Sequence, residues 1–158
     1  MIPYGRQTIS ENDIAAVVAV LRSDFLTQGP LVPEFEKSVA SYSGARHAVA
    51  TNSATSALHI ACLAAGLKPG DVLWTVPNTF VASANCGLYC GAKVDFVDIE
   101  PNTGLISIKK LKEKLIIAKK NKSLPKIIIP VHLAGASCNM KEISKLGKIY
   151  NFKIIEDA

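Results

Sequence analysis

The sequence predicts an α/β fold of three layers, a mostly parallel sheet with helices on both faces. Three observations predict it. From His47 onward, short β-rich runs alternate with helical patterns, and each helix has a readable start. The runs Ile127-Ile128-Ile129 and Phe96-Val97-Asp98-Ile99 are apolar without strict alternation, as strands buried on both sides are. The helical connections between runs are long enough for the crossovers that parallel neighbours require.

Taken in order, the first elements are two helices, over 10–22 and 32–42. Ser10 and Asp13 stand in the Ser-x-x-Asp arrangement of a capping box at the start of the first. The loop between them reads DFLTQGP, residues 24–30. Five strands follow, over 47–51, 72–76, 93–99, 126–131 and 152–157. Four helices alternate with them, over 54–65, 80–90, 108–119 and 140–150. Ser53, Asn78, Ser107 and Asn139 occupy the N-cap positions. Gly66, Gly91 and the Lys68-Pro69-Gly70 turn punctuate the ends. No repeat, low-complexity tract or interdomain linker interrupts this order.

Composition narrows the class of function. The 158 residues are 49% hydrophobic, enough for a packed core. The net charge of +5 comes mostly from lysines within 109–126. They fall on the polar face of a helix and in the loop after it, without arginine or interleaved aromatics, so a solvated face is expected and no nucleic-acid partner. Cys62, Cys86, Cys90 and Cys138 form no CxxC pair, and no His stands at metal-ligand spacing from them. They read as buried reduced thiols of a cytosolic protein, Cys86 and Cys90 sharing one helix face, with no metal site. No signal-peptide pattern opens the sequence and no apolar run reaches membrane length, so a soluble cytoplasmic protein with no membrane partner is expected.

In open α/β sheets, ligands bind where the carboxyl ends of strands lead into helix N-termini. That rule nominates TNSATSALHIA, residues 51–61, where small hydroxyl residues meet a helix start. Backbone N–H groups with the hydroxyls of Ser53, Thr55 and Ser56 make a phosphate cup there. The same residues also suit a plain cap with small packing neighbours. The loop is neither GxGxxG nor GxxxxGKS, so a dinucleotide or ATP phosphate loop has no direct support. Phe80, in VPNTFVASAN, suits either a flat planar ligand or the core. His132 ends a strand and reads as a hydrogen-bonded structural group. The last strand delivers Glu156 and Asp157 to opposite sides, Asp157 towards the ligand and Glu156 in a structural role. Phosphate cup, flat aromatic and carboxylate together describe a phosphorylated heteroaromatic cofactor with a ring nitrogen. Pyridoxal 5'-phosphate fits, because a carboxylate keeps the ring nitrogen protonated and the ring an electron sink.

TNSATSALHIA, VPNTFVASAN, VDIEP at 97–101, PVHLAG at 130–135 and the final IIEDA occur in this order. In that order and spacing the chain resembles the sugar aminotransferases named after DegT, DnrJ, EryC1 and StrS. The resemblance implies the large domain of fold type I, aspartate aminotransferase-like and here incomplete, with pyridoxal phosphate as cofactor. It makes Ser53, Ala54 and Thr55 the phosphate-side contacts, Phe80 the residue stacking on the ring, and Asp157 the catalytic partner of the ring nitrogen. Tyr4, with Asp24, Phe25, Leu26, Thr27 and Gly29 of the first loop, becomes part of the sugar-nucleotide site. Residues 1–45 would then be a helical segment contributing to that site. Residues 46–158 would be the N-terminal part of the cofactor-binding domain, with the small C-terminal domain absent.

YGRQTIS and LTQGPLVPEFE are most similar to members that aminate UDP-4-keto-6-deoxy-N-acetylhexosamines towards pseudaminic acid. Glutamate is the implied amino donor, nucleotide-sugar and cell-surface polysaccharide synthesis the implied setting, and a homodimer the implied assembly. Family members carry the lysine that holds the cofactor covalently some 25–30 residues past the acid. No lysine here occupies a matching place, so these residues alone are expected to bind cofactor weakly, without a covalent bond, and to be inactive. An unpaired sheet edge and an uncovered apolar face are expected to favour association. Two other readings stand beside the transaminase: a sugar dehydratase of the same family, with His in place of the lysine, and a non-catalytic α/β nucleotide- or phosphate-binding module.

Overall fold

The computed structural model describes residues 5–158, which divide into two compact units, one ending at Ala50 and one running from Thr51 to Ala158. Each is described by itself.

The first unit holds helices α1 (Glu11–Leu21) and α2 (Leu31–Ser43). The capping box forms as expected: the Asp13 carboxylate accepts the Ser10 N–H at 2.7 Å and the Ser10 hydroxyl accepts the Asp13 N–H at 3.3 Å. Helix α2 ends at Gly44, whose φ of +70° puts it in the left-handed region that glycine tolerates. The predicted strand over 47–51 does not form. Among the described residues this segment pairs with no strand, and the Ala50 N–H donates instead to the Glu36 carboxylate at 2.8 Å. An apolar extended run becomes a strand only where a neighbouring backbone completes the ladder, and none is present beside it.

The second unit is the α/β layer structure. Its elements are α3 (Ala54–Ala64), β1 (Val72–Thr75), α4 (Ala82–Tyr89), β2 (Lys93–Phe96), α5 (Ile108–Lys120), β3 (Ile127–Ile128), α6 (Met140–Tyr150) and β4 (Lys153–Ile154). The strands lie in the order β2-β1-β3-β4, every pair parallel, with Leu73 opposite Ile127, Trp74 opposite Ile128 and Ile128 opposite Ile154. The strands are shorter than their apolar runs. Pro130 has no N–H to donate, and the pairing resumes past it as a bridge between Val131 and Asp157.

Strand alternation sorts the core into two halves. Leu73, Ile127 and Ile129 are buried with Leu58 and Cys62 of α3 and Cys86 of α4. Trp74 and Ile128 are buried with Leu111 and Leu115 of α5 and Ile143 and Leu146 of α6. Burying the sheet between two apolar helix layers is what specifies these strands, at about 25 cal/mol per Å² of apolar surface removed from water. Gly87 lets α4 lie close against the sheet, since a Cβ there would stand 2.9 Å from Val94 Cγ2 and 3.3 Å from Leu73 Cβ.

Side-chain caps form at Ser53, Ser107 and Asn139 as expected. Asn78 is not one. Helix α4 begins at Ala82 after Val81, which makes no side-chain cap, so Asn78 stands in the turn before the helix and not at its N-cap position. All four cysteines are free and buried, and burial pushes the Cys90 and Cys138 thiols up. The Cys86 sulfur lies 3.7 Å from that of Cys62, across the α3–α4 interface. The contact with Cys86, together with burial, holds the Cys62 thiol well above its ordinary value. Several lysines of the basic stretch are not simply solvated: Lys114 bridges to Asp95 at 2.7 Å and stands over the Trp74 ring, Lys112 bridges to Glu142 at 2.7 Å, and Lys126 bridges to Asp71 at 2.8 Å.

These pairings give the protein an acid-sensitive stability. The hydrogen bond from Lys126 lowers the Asp71 carboxyl below its ordinary value, that from Lys112 lowers Glu142, and the Ser10 N–H lowers Asp13. Carboxyls depressed in the folded state bind fewer protons there than in the unfolded chain, so stability rises with pH across their titration. The contribution is complete above the ordinary values near 4 and is lost as pH falls through the lower folded values. Urea midpoints are expected to be flat from about pH 7 to 5 and to fall below about pH 4.

Candidate active site

The carboxyl ends of β1, β3 and β4 lead into the turn at 76–81, the segment starting at Pro130, and Glu156-Asp157. Helix α3 returns to the amino end of β1, so its own N-terminus points towards the same end of the sheet. The predicted residues of this unit, Ser53, Ala54, Thr55, Phe80 and Asp157, therefore share one end of the layer structure.

Asp157 is the most firmly placed of them. Its N–H donates to the Pro130 carbonyl at 3.0 Å and its carbonyl accepts the His132 N–H at 2.8 Å. Its side chain accepts a hydrogen bond at Oδ2 from the Ser83 hydroxyl, at 2.5 Å. Ser83 is fully buried in the first turn of α4, and its Oγ lies 2.7 Å from Thr79 Oγ1 and 3.2 Å from the Phe80 carbonyl. One serine thus ties the acid at the end of β4 to the turn that carries Phe80. The Phe80 ring is 75% exposed, so it is a free aromatic surface and not a core residue.

Glu156 projects to the other side of the strand. Its carboxylate lies 2.8 Å from His132 Nε2, while His132 Nδ1 accepts the Cys138 N–H at 3.0 Å. Nδ1 is used as an acceptor, so the ring proton sits on Nε2 and is donated to Glu156. The pair braces the 3₁₀ turn Leu133–Gly135 that follows His132.

At the N-terminus of α3 the Ser53 hydroxyl accepts the Ser56 N–H at 3.2 Å. The Ser56 hydroxyl donates to Asn52 Oδ1 at 2.7 Å, and the Thr51 hydroxyl to the Ser53 carbonyl at 3.0 Å. Capping and anion binding are compatible here, because the N–H groups of Ala54 and Thr55 have no acceptor among the described residues.

The remaining predicted residues belong to the first unit. Tyr4 lies outside the described residues. Asp24, Phe25, Leu26, Thr27 and Gly29 form the turn between α1 and α2, with Phe25 and Leu26 both exposed. The turn walls an apolar cavity of about 380 Å³ together with Ala16, Ala19 and Val20 of α1. Gly29 is required by close approach, since a Cβ there would come within 2.9 Å of Phe25 Cβ.

Sequence reasoning missed Ser83 and Thr79. The signal was a serine four residues after a threonine at a helix start, but Ser83 lies in a run of small residues that reads as packing. Its partner, Asp157, is 74 positions away.

An all-parallel sheet between two helix layers, with an uncapped pair of N–H groups at a helix start, an exposed aromatic and an anchored carboxylate at one end, defines an α/β protein with a candidate ligand site at the carboxyl end of its strands. The model of the DegT/DnrJ/EryC1/StrS aminotransferase family matches residues 7–158, and the chain belongs to that family. It is 46% identical over all 158 residues to a UDP-4-amino-4,6-dideoxy-N-acetyl-beta-L-altrosamine transaminase of Campylobacter jejuni subsp. jejuni, of which it covers 41%. Over 157 residues it is 41% identical to the UDP-4-amino-4-deoxy-L-arabinose--oxoglutarate aminotransferase of Shewanella sediminis, covering 39% of that protein. Among solved structures it is similar to the Helicobacter pylori aminotransferase PseC, with a TM-score of 0.86 and 34% identity, covering 99% of this chain and 41% of that one. It is also similar to the PLP-form of a putative sugar aminotransferase of Streptococcus pneumoniae, at 28% identity and a TM-score of 0.87, with 99% and 42% covered. The chain therefore spans about two-fifths of the length of the curated relatives it matches.

Proposed function

We propose that these residues are the cofactor-binding part of a pyridoxal 5'-phosphate-dependent transaminase. It aminates a UDP-linked 4-keto-6-deoxy-N-acetylhexosamine with glutamate as amino donor. It acts as a homodimer in the cytoplasm, in nucleotide-sugar synthesis towards pseudaminic acid and cell-surface polysaccharide. The observation that carries the reading is the Asp157 carboxylate, anchored through backbone and Oδ2 with Oδ1 left for a ligand. The substrate follows the C. jejuni relative's printed activity and the pathway printed for the H. pylori structure, the biosynthesis of pseudoaminic acid. Four free buried thiols support a reducing compartment. Among the described residues no helix is long and apolar enough to cross a membrane.

The residues present fit the cofactor. Pyridoxal phosphate, when bound, would supply a protonated ring that takes up the electron pair left when a C–H bond breaks on the carbon bearing the amino group joined to it. Asp157 Oδ1 would accept the ring N–H and, as a carboxylate, would keep that proton in place. The Ala54 and Thr55 N–H groups, with the hydroxyls of Ser53 and Thr55, donate to the phosphate at the positive end of α3. Phe80 covers a ring face and excludes water from it. Tyr4 and the turn of Asp24, Phe25, Leu26, Thr27 and Gly29 contact the sugar nucleotide. We assign no lysine within residues 1–158 to covalent attachment, so these residues alone hold the cofactor non-covalently.

The test is amination by the full-length gene product of the UDP-4-keto sugar in the presence of glutamate, read by mass spectrometry. One amino sugar is expected for each 2-oxoglutarate formed. Loss of water from the sugar without nitrogen transfer would instead identify a dehydratase and reject the transaminase reading.

A further inference from the structure

We infer that Ser83, backed by Thr79, is a positioning residue that fixes which oxygen of Asp157 meets the ligand; the inference rests on the proposed site. The argument is one of proton inventory. Ser83 has a single hydroxyl proton, and at 2.5 Å from a carboxylate oxygen that proton is committed to Asp157 Oδ2. The contact with Thr79 Oγ1 at 2.7 Å then runs the other way, Thr79 donating to Ser83. The result is a directed chain, Thr79 to Ser83 to Asp157, in which each hydroxyl polarises the next.

The chain does what the backbone clamp alone does not. The hydrogen bonds from the Asp157 N–H and to its carbonyl fix the main chain but leave the carboxylate free to rotate. A donor buried in α4 removes that freedom, engages Oδ2 and leaves Oδ1 for a ring N–H. Because the Ser83 backbone N–H also donates to the Phe80 carbonyl at 3.2 Å, the same residue is tied to the turn that presents the aromatic. Carboxylate and aromatic are thereby held in one frame, as positioned sites require.

The probe is pyridoxamine 5'-phosphate labelled with ¹⁵N in the ring, which has no aldehyde to react with surface lysines. Its affinity for the full-length gene product is measured by calorimetry and its ring-nitrogen shift by NMR. Ser83→Ala is expected to weaken binding about tenfold and to move the ring nitrogen towards its neutral-pyridine position. In an Asp157→Ala background the same change is expected to add less than about twofold, because Ser83 acts through Asp157. Ser83→Ala binding within about twofold of the parent, with an unmoved ring-nitrogen shift, overturns the inference. If that variant does not fold, Thr79→Val decides on the same two readouts, with about threefold weaker binding expected. Should Asp157→Ala itself bind within about twofold of the parent, the proposed site is wrong and the inference falls with it.

Discussion

Asp157→Asn is expected to lower the amination rate of the full-length enzyme by about 10²–10³-fold, the range found when one preorganised electrostatic partner is removed. The substitution keeps the size of the side chain and an oxygen able to accept from Ser83, so the fold should be retained. What it removes is the negative charge that holds a proton on a ring nitrogen, and with it the electron sink. Rates measured under glutamate saturation, with circular dichroism as a control for folding, check the expectation. A variant that retains more than about a third of parent turnover would separate Asp157 from the chemistry.

Ile128→Ala is expected to destabilise the second unit by about 3 kcal/mol, within the 2–5 kcal/mol typical of large-to-alanine changes in a core. Ile128 is fully buried, pairs with Trp74 on one side and Ile154 on the other, and faces the α5–α6 layer. Its loss leaves a cavity between a strand fixed on both edges and helices that are themselves tied, as by the Lys112–Glu142 bridge at 2.7 Å. Little collapse is therefore available to offset it. The measurement is the urea midpoint, with an unchanged denaturant slope showing that stability and not compactness has moved.

Much of the fold was legible because local patterns and tertiary context agree. The triplet Ile127-Ile128-Ile129 is apolar on successive residues because Ile127 and Ile129 meet α3 and α4 while Ile128 meets the opposite layer. Ser53, Ser107 and Asn139 cap helices through bonds that span three residues, which a short window of sequence contains. Residues 47–51 failed as a strand for the opposite reason, since strand formation depends on a neighbour that no local pattern specifies.

The candidate site divides along the same line. Asp157 and Phe80 were nominated by their places at strand and helix ends. Ser83 was not, since its importance comes from a contact between segments far apart in sequence, and a buried serine between two alanines carries no local mark of it.

The two adjacent acids that close β4 make the pairing of this strand a matter of parity. The Val131–Asp157 bridge puts one carboxylate on Ser83 and the other on His132. A slip of one residue between β3 and β4 would exchange the faces, sending the longer Glu156 side chain towards Ser83 and leaving His132 to the shorter Asp157. Because the two side chains differ by one methylene, neither would reach its new partner with the old geometry. The wrong register is therefore penalised on both faces at once, and the chain that assembles its sheet correctly has also selected which of two neighbouring acids stands beside Ser83 in the candidate site.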